Sequence, residues 1–134
     1  MGLGKLENKK IGVLGGSFDP AHIGHIKISK IAKKDYNLIQ VIWAITKQNP
    51  FKKNKPNDLY KRTAYAKKIN KRNKFIKVQC FDDIVKSNRT IDLIKYLKKK
   101  FKNTDIFFLM GADNLVNFHK WKGCNLITKM CKIL

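Results

Sequence analysis

Between residues 10 and 34 the chain passes from a short apolar run, through a glycine pair, straight into residues at helical spacing. The run at 10–14 has the character of a buried strand, and Gly15-Gly16 is expected to break it into a turn. From 22 to about 34, Ile23, Ile26, Ile28, Ile31 and small Ala32 recur at roughly helical intervals, which predicts a helix. A strand that turns at glycines into a helix is the opening unit of a parallel sheet, and the rest of the chain repeats that unit.

Residues 38–45 are β-branched and almost continuously apolar, the pattern of a strand covered on both faces. Residues 46–57, with their lysines, asparagines, Pro50 and Pro56, read as a loop. Asp58 suits the N-cap of a helix reaching about residue 70. Residues 75–81 predict a third strand, and 90–101 a helix with Ile91, Ile94, Leu97 and Phe101 on one side. Residues 105–110 predict a fourth strand, ending at Gly111. This alternation predicts an α/β fold, a Rossmann-like parallel sheet with helices on both faces. Ligands of such sheets sit beyond the carboxyl ends of the strands. Gly15-Gly16, the 46–53 and 82–90 loops and Gly111-Ala112-Asp113 all fall on that rim.

With 134 residues, the expectation is a single domain over 1–134, its residues 1–9 forming a polar N-terminal tail. No apolar stretch approaches the roughly 18 residues of a membrane span, so a cytoplasmic protein without membrane attachment is expected. The net charge of +21 suggests nucleic acid, but its make-up argues otherwise. Only Arg62, Arg72 and Arg89 among the 30 basic residues are arginines, and lysine lacks the planar fork that reads bases and phosphates. No specific nucleic-acid partner is expected; the basic surface would instead concentrate anionic substrates. Cys80, Cys124 and Cys131 form no C-x-x-C pair, so neither a zinc site nor a disulfide framework is indicated.

Chemistry concentrates in Gly15-Gly16-Ser17-Phe18-Asp19-Pro20-Ala21-His22-Ile23-Gly24-His25. Glycines permit positive φ and close approach of backbone to ligand, and successive N–H groups in such a turn form an anion nest. Asp19-Pro20 suits an N-cap followed by the first helical position. His22 and His25 would share one face of the first turn, with Gly24 leaving room for a bulky anion between them. The dipole of that helix favours phosphate at its N-terminus. Two imidazoles donating to phosphate oxygens would stabilise charge as an α-phosphorus is attacked, without any covalent nucleophile. Gly15, Gly16, Ser17, Phe18, His22 and His25 are the expected phosphate-binding residues.

This segment resembles the G-G-[ST]-F-D-P-x-H-x-G-H motif of the nucleotidyltransferase superfamily, which pantetheine-phosphate adenylyltransferases and cytidylyltransferases share. Three further segments resemble bacterial nicotinate-nucleotide adenylyltransferases in particular: Gln48-Asn49-Pro50-Phe51-Lys52-Lys53, Arg89-Thr90-Ile91-Asp92-Leu93, and Gly111-Ala112-Asp113-Asn114 with Phe118-His119-Lys120-Trp121. The resemblance implies catalytic roles for His22, His25 and Lys52, the lysine meeting substrate phosphates. It also implies that Thr90 and nearby amides receive the nicotinate carboxylate, that Asp113 holds ribose hydroxyls, and that Trp121 stacks on the pyridine ring. Trp43, inside a strand, is expected to be core. The implied reaction joins ATP and nicotinate mononucleotide into deamido-NAD, releasing pyrophosphate. Magnesium would ride on the ATP, with no dedicated protein metal site.

The family normally adds a further βα portion with an Ile-Ser-x-Thr-x-Ile-Arg motif, which is not found in these 134 residues. The expectation is therefore a C-terminally shortened nucleotidyltransferase fold, prone to self-association through an open sheet edge. Two alternatives accompany it: an inactive nucleotide-binding domain, and an adenylyltransferase for another acceptor such as pantetheine phosphate.

Overall fold

The computed structural model describes residues 8–47, 59–87, 89–110 and 132–133. Strand β1 (Lys9–Gly16) is central, and helix α1 (Ile23–Tyr36) carries the chain to β2 (Gln40–Ile45) on one side of it. Helix α2 (Leu59–Ile69) leads to the edge strand β3 (Ile76–Gln79). A single-turn helix α3 (Asp82–Val85) and helix α4 (Thr90–Lys100) then cross back to β4 (Thr104–Leu109), on the other side of β1. Two residues, β5 (Lys132–Ile133), add a fifth strand beside β4. The sheet order is β3-β2-β1-β4-β5, and every pairing is parallel.

Each inner strand is apolar on both faces because each face carries its own core. Ile11, Val13, Ile42, Ala44, Ile106 and Phe108 pack with Ile91, Ile94 and Leu97 of α4. Leu14, Val41, Trp43, Ile45, Phe107 and Leu109 pack instead with Ala32 of α1 and Ala66 of α2. Alternate residues of one strand thus enter opposite cores, which is why the strand sequences read as unbroken apolar runs.

The order places the switch in winding direction between β1 and β4, since the chain moves outward from β1 to β3 and then returns past β1. A crevice opens at that point in doubly wound sheets. The chain leaves β1 there, directly into the segment that bears the histidines.

Several local expectations give way to the structure. Strand β1 continues through Gly15 and Gly16, paired with Ala44 and Ile45, and neither glycine takes a left-handed φ. The left-handed residue of the turn is Phe18, at φ 50°. Asp19 and Pro20 do not start the helix: their peptide bond is cis, and α1 begins only at Ile23. The expected 82–90 loop contains α3, and β5 had no counterpart among the four expected strands. The proposed cap at Asp58 lies outside the described residues, as do Cys124 and Cys131.

Candidate active site

Helix α1 is started by its own two histidines. His22 is the N-cap, in extended backbone, and its Nδ1 accepts a hydrogen bond from the Gly24 amide at 3.0 Å. His25 is three residues on, and its Nδ1 accepts from the His22 amide at 3.0 Å. This reciprocal arrangement is a capping box in which imidazoles take the parts usually played by Ser or Thr and Glu or Gln. The rings lie with centroids 3.9 Å apart. Since both Nδ1 atoms accept, the remaining proton of each neutral ring sits on Nε2. Backbone bonding therefore fixes two N–H donors side by side at a helix N-terminus, where the dipole favours anions.

Gly24 serves this geometry in a way its neighbours in sequence did not reveal. A Cβ there would lie 2.8 Å from Cε1 and 2.9 Å from Nδ1 of His22. A side chain at Gly24 would therefore collide with the His22 ring. Gly24→Ala is expected to displace that ring and break the cap. An exposed helical Gly→Ala change ordinarily stabilises by about 1 kcal/mol; here thermal unfolding should show no gain, and phosphate binding should weaken. A stabilised variant that binds phosphate normally would contradict the reading.

Behind the histidines stands an aromatic stack. Phe18 lies on Trp43 with centroids 5.0 Å apart and planes 18° apart, and meets the His25 ring at 4.6 Å. Trp43 is fully buried, as expected for a core residue, and its Nε1 donates to Ser29 Oγ at 2.9 Å. Ser29 Oγ in turn donates to the His25 carbonyl at 2.8 Å. The chain of contacts from β2 through α1 thereby fixes the turn that carries His25. Ser17 and the Phe18 ring are buried, so what Phe18 can offer a phosphate is backbone.

Burial in this stack, reinforced by the neighbouring His22, lowers the His25 pKa from 6.5 to about 4. His25 is accordingly a neutral donor at pH 7. The unfolded chain takes up a proton at His25 below about pH 6.5, whereas the folded chain resists until about pH 4. This contribution to stability is complete above 6.5 and is lost as the pH falls from 6.5 through 4. His25→Gln keeps an N3 acceptor and removes the titration. Its stability, followed by denaturant unfolding, should fall less between these pH values than that of the unaltered chain.

A second device was missed in the sequence. Arg62 of α2 is only 3% exposed, and its Nη1 donates to the Ser17 carbonyl at 2.8 Å and the Thr46 carbonyl at 2.7 Å. Its Nη2 donates to the Lys47 carbonyl at 2.9 Å. The signal was present: Leu59, Arg62, Ala66 and Ile69 fall on one helical stripe, and arginine is scarce in a chain whose basic residues are nearly all lysine. On the far side of the Lys47 peptide, its amide donates to Asp82 Oδ2 at 2.8 Å, while its ammonium pairs with Asp83. Burial raises the Asp82 pKa, and the Asp83 hydrogen bond raises that of Lys47.

Thr90 is the first residue of α4 and half-buried; the cap position belongs to Arg89, whose side chain does not cap the helix. Arg89 Nε binds Asp92 Oδ2 at 2.9 Å, and Ser87 Oγ donates to the same oxygen at 2.6 Å. The Ser87 hydrogen bond, then that of Arg89, holds the Asp92 pKa below its ordinary value. A cavity of about 490 Å³ beside this turn is lined by Lys86, Arg89, Lys95 and Lys99 among others, a cationic surface suited to an anion. Lys52, Asp113 and Trp121 lie outside the described residues. Among the described residues, no group of three or more His, Cys, Asp or Glu side chains could hold a metal ion.

A parallel sheet with a histidine-capped helix at its switch point is the architecture of a nucleotidyltransferase. Residues 13–134 match the family model described as cytidylyltransferase-like, and the chain belongs to that family. Its relatives narrow the class. A protein of Pelagibacter ubique (strain HTCC1062) named "Probable nicotinate-nucleotide adenylyltransferase" is 58% identical over 125 residues, covering 93% of this chain and 69% of the relative. Proteins of the same name from Ruegeria sp. (strain TM1040) and Aquifex aeolicus (strain VF5) are 37% and 32% identical. This chain spans 59% of the first of these and 73% of the second. The fold is shared with a solved structure from Vibrio parahaemolyticus, at a TM-score of 0.79 and 20% identity, covering 94% of this chain and 76% of that one.

Proposed function

We propose that this chain catalyses adenylyl transfer from ATP to nicotinate mononucleotide, giving deamido-NAD and pyrophosphate. The observation that carries the reading is the His22–His25 pair, whose backbone-bonded Nδ1 atoms leave both Nε2–H groups as donors at the α1 N-terminus. The acceptor's phosphate oxygen attacks the α-phosphorus of ATP, the bond from that phosphorus to the β-phosphate bridging oxygen breaks, and pyrophosphate leaves with both electrons. Charge grows on the phosphate oxygens during this exchange. Two fixed donors and a helix terminus stabilise it without having to reorganise. Neutrality of His25 suits the donor role, since no proton need be lost or gained.

Magnesium enters with the substrate as MgATP, neutralising triphosphate oxygens. Lys52 supplies a further phosphate contact, Thr90 and the α4 N-terminus receive the nicotinate carboxylate, Asp113 holds ribose and Trp121 stacks on pyridine. These assignments rest on motif resemblance and, for Thr90, on its place as the first residue of α4. The names of the relatives, at up to 58% identity, support nicotinate mononucleotide over pantetheine phosphate. No helix among the described residues is long and apolar enough to cross a membrane, and we assign the enzyme to the cytoplasm.

The deciding experiment is pyrophosphate release by the purified chain with MgATP and, in turn, nicotinate mononucleotide, nicotinamide mononucleotide and phosphopantetheine. Release that requires nicotinate mononucleotide is the expected result. Binding of ATP without release for any acceptor would instead support a nucleotide-binding domain.

A further inference from the structure

We propose that Arg62 is a positioning residue for adenylyl transfer: its guanidinium sets the spacing between the turn that carries the histidines and the segment that leaves β2. The proposal rests on the transferase reading above. Its basis is the fork itself. One planar group holds the Ser17 carbonyl, at the start of the histidine turn, and the Thr46 and Lys47 carbonyls, where the chain departs β2 toward Lys52. Thr46 is also tied to β1, its amide donating to the Gly16 carbonyl at 2.9 Å. The Lys47 backbone is held at both ends of the residue, its carbonyl by Arg62 and its amide by Asp82.

Burying a guanidinium to this depth is costly, and the three carbonyls it satisfies, which an apolar side chain would leave without a donor, offset part of that cost. What an arginine adds is geometry. Its five N–H donors lie in one rigid plane, so three carbonyls on two loops are referred to a single frame. A lysine could reach one or two of them but not fix their relative positions. The effect reaches the histidines by a short route, because Ser17 is followed by Phe18, whose ring carries His25. Catalysis by preorganised donors is sensitive to this kind of displacement, where a shift of about 1 Å costs about a hundredfold in rate.

The test compares Arg62→Lys with the unaltered chain below both unfolding midpoints. Turnover with MgATP and nicotinate mononucleotide should show kcat reduced about a hundredfold, with the KM for ATP changed much less. The second readout needs no turnover: the His25 imidazole, titrated by NMR, should move up from about 4 toward ordinary histidine values as Phe18 is released. A folded Arg62→Lys chain with unchanged kcat overturns the proposal, as does an unmoved His25 midpoint. Should that variant fail to fold, Arg62→Gln keeps two donors on a planar group, too few for all three carbonyls, and takes its place in both readouts. It is expected to lower kcat several-fold, and an unchanged kcat again overturns the proposal. Absence of turnover in the unaltered chain would instead remove the transferase reading, leaving the positioning role to be decided by the His25 titration.

Discussion

His22→Ala is expected to lower pyrophosphate release by about a hundredfold to a thousandfold, the usual cost of removing one preorganised donor from a developing anion. The same change should cost about 1 kcal/mol of stability, because it also removes the cap of α1. These two losses can be separated. Asparagine is a good N-cap, and in His22→Asn its Oδ1 can accept from the Gly24 amide where the imidazole Nδ1 does now. Its shorter side chain cannot put a donor where Nε2 stands. The asparagine variant should therefore unfold at close to the original temperature and remain about as slow as the alanine variant. Recovery of rate together with stability would mean that His22 acts as a helix cap alone, and the phosphate-donor role would fall.

Trp43→Ala is expected to have the largest effect on stability. The ring is fully buried between the sheet and α1, stacked on Phe18 and hydrogen-bonded to Ser29. Truncating a buried tryptophan costs about 3–5 kcal/mol. Against a total of about 5–15 kcal/mol for a domain of this kind, that is a large share. The cavity would open directly beneath Phe18 and His25, so ATP affinity should fall along with the denaturant midpoint. Trp43→Phe keeps an aromatic face but loses the Nε1 hydrogen bond and part of the indole volume, and should cost about 1–3 kcal/mol, less than the alanine change. Equal midpoints for the alanine and phenylalanine variants would show that the stack carries little of the stability assigned to it.

The elements most legible in the sequence were those whose burial is two-sided. Val41-Ile42-Trp43-Ala44-Ile45 could be read as a covered strand because its residues enter both cores in turn. The amphipathic stripe of α4 was equally plain, with Ile91, Ile94 and Leu97 all buried. The periodicity placed α1 from residue 22, close to its start at Ile23, but its cap was read at the wrong residues. Asp19-Pro20 satisfies the commonest N-terminal signal, yet the cap is a histidine, and propensity gave no reason to prefer it. Spacing did carry the information: His22 and His25 stand at the N-cap and N3 positions of a capping box, a pattern ordinarily sought with other residue types. The glycine pair misled in the opposite way, since small residues within a strand look like its end. Arg62 was hidden by its surroundings, one cation in a helix full of solvated lysines. The contacts of Lys52, Asp113 and Trp121 fall outside the described residues, so their placement rests on motif alone.

The central position of β1 also has a consequence for how the molecule is assembled. Its two neighbours are β2, completed at residue 45, and β4, completed only at residue 109. During synthesis the first strand made can pair on one side early and must wait for most of the remaining chain before its other edge is closed. The histidine-capped helix belongs to the half that can form first, whereas α4 and Thr90 belong to the half that arrives with β4. The proposed phosphate-binding turn and the proposed acceptor pocket thus belong to parts of the chain that are synthesised at different times. Until β4 docks, an open strand edge lies next to the turn that carries the histidines, which makes the timing of that docking a point of vulnerability to misassembly.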